Sequence, residues 1–371
     1  MNKIYVTKPS IPPLDDFYYY LKDIWESGWL TNNGKYHQEF EKKLSAYLGQ
    51  KYISLFSNGT LALITALRSL EITGEVITTP YSFVATTHSL HWNRIKPVFV
   101  DIDENTFNLN PEKIKSAITS KTTAILPVHV YGIPCEVEEI QQIACNHGLK
   151  VIYDAAHAFS VKYKNKSVLS YGDLSILSFH ATKIFNTAEG GAIICHDEQT
   201  KQKIDYLKNF GIKDEVTVVS SGINAKMNEL QAALGILQLE HINNIIQKCK
   251  SIFNLYKTLL KDIPGLRMLK INENIEYNYS YFPLLIYESE YGKSRDGLYN
   301  YLKLNNIYTR KYFYPLISQF PPYKKLISAK EANLPKATSV SKNIICLPIY
   351  ADLTSADVRR ISRLIKDFQR C

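Results

Sequence analysis

Cysteine is scarce and scattered. Cys135, Cys145, Cys195, Cys249, Cys346 and Cys371 are the 6 cysteines among 371 residues, and no two form a CxxC pair. That spacing argues against a zinc knuckle and a disulfide scaffold, fits a reducing compartment, and leads us to expect no metal site. Long apolar runs are missing too, so no segment reads as a membrane span. The first residues, MNKIYVTKPSIPPLDD, lack the apolar core of an export signal. The expectation is a cytoplasmic protein. There is no low-complexity tract and no internal repeat. Negative charge is in deficit, leaving a formal net charge of +9, yet the basic residues form no long run; EKK, RKY, YKK and RRISRLIK are the densest spots. Such a surplus suits small anionic ligands or a generally basic surface better than a nucleic-acid track.

What is present is ample apolar material, 45% of the chain, in two different patterns. From about residue 36 to 200, helical and strand patterns alternate. HQEFEKKLSAYLG sets Phe40, Leu44 and Leu48 on one helical face and stops at Gly49. TLALITALRSL, PEKIKSAI and EVEEIQQIACNHG are further helical stretches. YISLF, EVITT, KPVFVDI, TAILPVHV and KVIYDAA are short, nearly continuous apolar runs. Strands buried on both faces and separated by helices predict a mostly parallel sheet in an α/β domain, with ligands at the carboxyl ends of the strands. After Gly222 the pattern changes. A long helical stretch from KMNELQ to KDI is closed by Pro264-Gly265. Strands in NYSYFPLLIY and IYTRKYFY and a helix in SADVRRISRLIKDFQ follow. The expected division is a large α/β domain over residues 1–249 and a smaller α+β domain over 250–371, with the segment before residue 30 packing on either.

Several stretches stand where strands meet loops. SNGTLAL puts Ser57, Asn58, Gly59 and Thr60 between a strand and a helix. Gly59 permits close backbone approach, and the helix N-terminus offers free N–H groups, which suits one phosphate. Alone, it reads equally as a turn with Thr60 as N-cap. VIYDAAHAF ends a strand on Asp154, where a carboxylate can pair with a protonated ring nitrogen or simply cap a turn. Phe83, in TTPYSFVAT, can stack on a ring or sit in the core. SFHATKIFNTAEGG carries Lys183 into a Glu-Gly-Gly turn; a surface lysine needs no such setting, whereas an imine-forming lysine must be desolvated. Phosphate cradle, ring-nitrogen acid, stacking aromatic and imine lysine are together the parts that a pyridoxal 5'-phosphate site requires.

On these blocks, with SGWLTNNGKYHQEFEKKLSAYLG, PVFVDID, GINAKMNELQAALG and YTRKYFYPL, the chain resembles the DegT-type sugar-nucleotide aminotransferases over nearly its whole length. The resemblance implies the aspartate aminotransferase fold (fold type I) and pyridoxal phosphate cycling through pyridoxamine phosphate. It assigns Lys183 to the imine with the cofactor and Asp154 to the ring nitrogen. His157 would sit near the ring hydroxyl, and Phe83 would stack. Gly59, Thr60 and Ser178 would hold the phosphate, and Asn224 would reach it from a partner subunit. A homodimer with shared active sites follows. Some family members carry histidine in place of this lysine and remove a hydroxyl; Lys183 implies transamination instead. The SFHATK…EGG block implies a 4-ketosugar, with dTDP-4-keto-6-deoxy-D-glucose as substrate and L-glutamate as donor, in the synthesis of a surface polysaccharide. KYFYPLIS stands where the family has HYxPLH, so no histidine role is carried over. Lys35, Arg310 and Lys311 are candidates for the nucleotide diphosphate and Tyr314 for the sugar pocket. The alternatives are a 3-ketosugar or a UDP- or GDP-linked substrate, an idle member serving as a binding or regulatory module, and a nucleic-acid-binding protein, which would leave the Ser178–Gly191 block unexplained.

Overall fold

Strands that are apolar on both sides must be covered on both sides. The computed structural model, which describes residues 2–370, satisfies this with a central sheet between helical layers. Its strands are β1 (Tyr52–Phe56), β2 (Glu75–Thr78), β3 (Lys96–Phe99), β4 (Thr122–Leu126), β5 (Lys150–Asp154), β6 (Leu174–Ser178) and β7 (Gly191–Cys195). The spatial order is β1-β7-β6-β5-β4-β2-β3. β7 is antiparallel to both its neighbours, and the other pairs are parallel. Every strand but β7 therefore ends at one edge, and β7 begins there, with Gly191 between Phe56 and Ser178. The α/β class and the mostly parallel sheet agree with the expectation.

The helix Lys35–Leu48 buries Phe40, Leu44 and Leu48, as their spacing predicts, and ends at Gly49 with φ 64°. Fully burying such side chains contributes about 1.5–3 kcal/mol each. Phe40 lies on Gly235 of the long helix Glu229–Leu260, where a Cβ would come within 2.5 Å of the ring. That helix begins a few residues later than the apolar pattern. Asn228 accepts from the Gln231 N–H (2.9 Å) while the Gln231 side-chain oxygen accepts from the Asn228 N–H (3.2 Å), a capping box. The Gln231 amide nitrogen then donates to the carbonyls of Ser57 (3.2 Å) and Glu189 (2.7 Å). At the far end, Tyr256 packs on Phe282, ring centroids 4.8 Å apart.

Beyond this helix, Leu266–Met268, Phe282–Ile286 and Ile344–Leu347 form an antiparallel sheet, accompanied by helices Arg295–Leu304 and Ser355–Arg370. The N-terminal segment touches both parts. Ile4–Tyr5 pairs with Ile307–Tyr308, and Leu14–Ser27 packs on the long helix. IYTRKYFY is not the extended strand its composition predicts. It pairs only over Ile307–Tyr308, then turns, with Arg310 bridging to Cys346. Among the described residues, no helix is long and apolar enough to cross a membrane.

Glu229 ties the helix Lys35–Leu48 to the long helix. Its buried carboxylate accepts the N–H groups of Tyr36 (2.7 Å) and His37 (3.1 Å) at the start of the helix Lys35–Leu48. A negative charge there satisfies orphan donors and opposes the helix dipole. Glu229→Gln places an amide N–H against those donors and removes the charge. It is expected to cost about 1–3 kcal/mol, read as a lower urea midpoint at constant slope; an unchanged midpoint would refute the capping role.

Candidate active site

A cavity of about 850 Å³ opens at the carboxyl edge of the sheet. Gly59, Thr60, Phe83, Asp154, His157, Ser178, Lys183 and Asn224 all line it. They converge because β1, β2, β5 and β6 all end here. The loop from β6 to β7 folds on itself, with Lys183 N–H donating to His180 O (2.8 Å), Ala181 N–H to Ala188 O (2.7 Å) and Thr187 N–H to Phe179 O (2.9 Å). These bonds set the position of Lys183 at the cavity. The glycines after Glu189 answer a close approach of chains. A Cβ on Gly191 would lie 2.8 Å from the Asn58 carbonyl carbon and the Gly59 nitrogen, and one on Gly59 would lie 3.0 Å from the Ser178 Cβ.

The β1 turn differs from the expected cap. Asn58, not Thr60, is the N-cap: its side chain accepts the Leu61 N–H at 2.9 Å. Asn is the stronger cap by chemistry and precedes the first helical residue, Gly59. Thr60 thus stands on the first turn with its side chain exposed. The N–H groups of Gly59 and Thr60 have no partner within the helix, and Ser178 lies against them.

Asp154 is buried. Oδ2 accepts from the Thr86 hydroxyl (2.7 Å), itself 2.9 Å from the Ser82 hydroxyl, and Oδ1 accepts from the Ala156 N–H (3.1 Å). Burial raises its proton affinity, opposed by Thr86, by the Ala156 N–H and by the charge of Lys183. Lys183 is pushed down to about 8 by desolvation, which Asp154 partly opposes. It remains part-exposed through the cavity mouth while its amine lies between low-polarity walls. His157 accepts the Tyr131 N–H on Nδ1 (3.1 Å), which leaves Nε2 to carry the ring proton. Burial, and then the Lys183 charge, hold it well below the usual histidine range, so it stays neutral. Phe83 is 60% exposed, an open aromatic wall rather than core. Asn224 borders the cavity of its own chain and accepts from the Lys226 amine at 2.9 Å.

The substrate candidates are a different matter. Lys35, Arg310, Lys311 and Tyr314 do not line this cavity. Lys35 pairs with Asp23 (2.9 Å) and Lys311 with Asp296, while Tyr314 lies under the Arg295 guanidinium, 4.9 Å from its ring. Strand alternation would have put residues 310, 312 and 314 on one face; the strand ends at Tyr308, the alternation is lost, and Tyr312 and Phe313 face the cavity instead. Sequence reasoning also missed Thr86, one helical turn from Ser82, and Tyr281, for which no local pattern exists.

Residues 15–366 match the DegT/DnrJ/EryC1/StrS aminotransferase family. The chain is 56% identical over 363 residues to a dTDP-4-amino-4,6-dideoxy-D-glucose transaminase of Escherichia coli, covering 97% of each. It is 50% identical to one of Shigella dysenteriae, covering 99% of each. Among solved structures it is similar to DesI, crystallised with its TDP-sugar product (TM-score 0.95, 31% identity, 100% of this chain and 93% of that one). It is also similar to the sugar aminotransferase Spr1654 of Streptococcus pneumoniae, seen in PLP and PMP forms (TM-score 0.91, 25% identity, 99% of each chain). With a matched profile over nearly all its length and the fold, the chain belongs to the DegT/DnrJ/EryC1/StrS aminotransferase family.

Proposed function

We propose that the protein moves an amino group from L-glutamate to dTDP-4-keto-6-deoxy-D-glucose, giving dTDP-4-amino-4,6-dideoxy-D-glucose and 2-oxoglutarate, with pyridoxal 5'-phosphate in the cavity. One observation carries the reading: a desolvated lysine and a buried carboxylate, Lys183 and Asp154, face the same cavity. The identity to transaminases of that dTDP-sugar supports the substrate.

The residues present fit the cofactor. Asp154 has two N–H or O–H donors and, among the described residues, no ion-pair partner, so a protonated ring nitrogen would supply the charge it lacks. Gly59 leaves room that a Cβ would fill, beside free N–H groups and the Ser178 hydroxyl, as a phosphate requires. His157 Nε2–H is a donor suited to the ring hydroxyl oxygen, and Phe83, exposed at the cavity, would cover a ring face. When bound, pyridoxal phosphate supplies an aldehyde that captures amines and a ring that withdraws electrons. Lys183 Nζ takes the proton from the amine-bearing carbon of glutamate and later returns one to the sugar C4. The Asp154 carboxylate would accept the ring N–H and so keep that nitrogen protonated. One cavity serves both substrates in turn, so ping-pong kinetics are expected.

We read residues 1–249 as the cofactor domain and 250–371 as the smaller domain, joined by the long helix. The active unit is a homodimer in the cytoplasm. Support for the dimer comes from apolar side chains left exposed: Phe83 at the cavity, and Val216 (94%), Val218 (68%) and Val219 on and beside the hairpin Ile212–Val218. Whether Asn224 serves its own or the neighbouring site is decided by mixing. Lys183→Ala and Asn224→Ala, each inactive alone, are expected to regain activity after subunit exchange, approaching one intact site per mixed dimer. No regain despite proven exchange would mean that Asn224 serves its own chain, whose cavity it borders.

The function is tested by incubating the protein with L-glutamate and a panel of 3-keto and 4-keto dTDP-, UDP- and GDP-sugars. Products are identified by mass and NMR. Amination confined to a 3-ketosugar, or to a UDP- or GDP-sugar, would overturn the substrate assignment.

A further inference from the structure

Among the described residues, the hydrogen bond of the Lys183 amine does not run to Asp154. It runs to the hydroxyl of Tyr281, at 3.4 Å. Tyr281 immediately precedes the strand Phe282–Ile286 of the C-terminal antiparallel sheet, so one layer of the molecule reaches into the other at this amine. Its ring is boxed in, with the His157 ring centroid at 4.7 Å, Tyr131 at 5.4 Å and Tyr312 at 6.2 Å. The backbone before it is tied down as well. Asn278 donates to the carbonyls of His157 (2.9 Å) and Phe159 (3.0 Å) and accepts from the Ser280 hydroxyl (2.9 Å), and Tyr277 donates to the Tyr131 carbonyl (2.7 Å). A hydroxyl so held has little freedom to follow the lysine; the lysine must come to it.

We propose that Tyr281 is a positioning residue for Lys183: its hydroxyl accepts an N–H from the protonated amine and fixes where that amine waits in the cavity. This rests on the reading of Lys183 as the reacting amine. The titratable and aromatic groups lining the cavity with Lys183 include Asp154 and His157 from the end of β5, His180 and Glu189 on its own loop, and Tyr281, Tyr312 and Phe313 across the cavity. Of these, Asp154 favours the charged amine, His157 is neutral, and burial keeps Tyr281 a neutral phenol. A phenol can accept from the ammonium or donate to the free amine. The bond to the ammonium is charge-assisted and stronger, so the hydroxyl favours the protonated form.

Tyr281→Phe keeps the ring and its neighbours and removes only the oxygen. In the cofactor-free full-length chain, acetic anhydride labelling of Lys183 over pH 6–10, followed by peptide mass spectrometry, is expected to show its midpoint lowered by about half to one pH unit, which is about threefold to fivefold more labelling near pH 7. In the loaded enzyme, kcat is expected to fall about tenfold to a hundredfold with KM within about threefold. Tyr281→Leu should show the same labelling shift if the hydroxyl is what matters. A purely structural role gives another pattern, with Phe like wild type and Leu impaired, and that pattern overturns the proposal. So does an unchanged midpoint in both variants. Borohydride trapping at Lys183 in the wild type keeps the two readings apart. A trapped adduct with no Tyr281→Phe effect defeats the Tyr281 role alone, whereas an adduct at another lysine defeats the reading beneath it.

Discussion

Lys183→Ala is expected to abolish turnover, by about ten-thousandfold or more, in a chain that still folds. No other amine lines the cavity among the described residues, and of its buried bases His157 is neutral and Asp154 is already bonded to Thr86 and Ala156. Folding survives because the loop is closed by backbone hydrogen bonds, not by the lysine side chain. The cofactor-free variant should even gain stability at neutral pH. Lys183 in the folded chain is pushed down from 10.5 to about 8. Below pH 8 it is protonated in both states and burying the charge carries its full cost. Between about 8 and 10.5 the folded chain holds fewer protons than the unfolded chain, so wild-type stability rises with pH across that window. The variant's advantage should therefore be about 1–3 kcal/mol at pH 7, discounted because the side chain is part-exposed, and should fade by pH 10. Denaturant midpoints at the two pH values check this. Borohydride reduction followed by peptide mapping checks the chemistry, and an adduct on another lysine would overturn the assignment.

Asp154→Asn is expected to retain the cofactor and lose about a thousandfold or more in kcat. The phosphate groups and Lys183 are untouched, so binding persists. The buried carboxylate has its geometry set from behind by Thr86 and Ser82. An amide of the same shape can accept the same Thr86 bond. It cannot hold a cationic ring nitrogen, which returns to the neutral state and no longer draws electrons from the reacting carbon. The measurement is single-turnover rate beside the absorbance of retained cofactor. Near-normal turnover in a variant with full cofactor would remove Asp154 from its role.

How much of this was legible depends on distance along the chain. The sheet was, because apolar runs between helical patterns have few other folds, and the carboxyl-edge rule then places Asp154 and the Asn58–Thr60 turn on one edge; Ser178 was reached only through the resemblance. Lys183 and its Glu-Gly-Gly turn are local, so one stretch holds them. The particular roles came from resemblance to the family; spacing alone left Asp154 and Phe83 ambiguous. Arg310 and Tyr314 were proposed for their charge and ring, and the structure places neither on this cavity. The cap was misplaced by two residues because Asn58 and Thr60 are both good capping types. Tyr281 and Glu229 were illegible for one reason: each acts on a residue far away in sequence, and nothing near either of them marks it.

The long helix Glu229–Leu260 has a mechanical meaning. At 1.5 Å per residue its 32 residues make a rod about 48 Å long. One end is bolted through Gln231 to the carbonyls of Ser57 and Glu189, beside the turn with the free N–H groups and the loop of Lys183. The other is wedged under Phe282, next in the chain to Tyr281. A lever of that length converts a tilt of about one degree into a displacement of about 0.8 Å at its tip. Any tilt of this rod would therefore be felt at both ends, at the turn beneath the Lys183 loop and beside Tyr281.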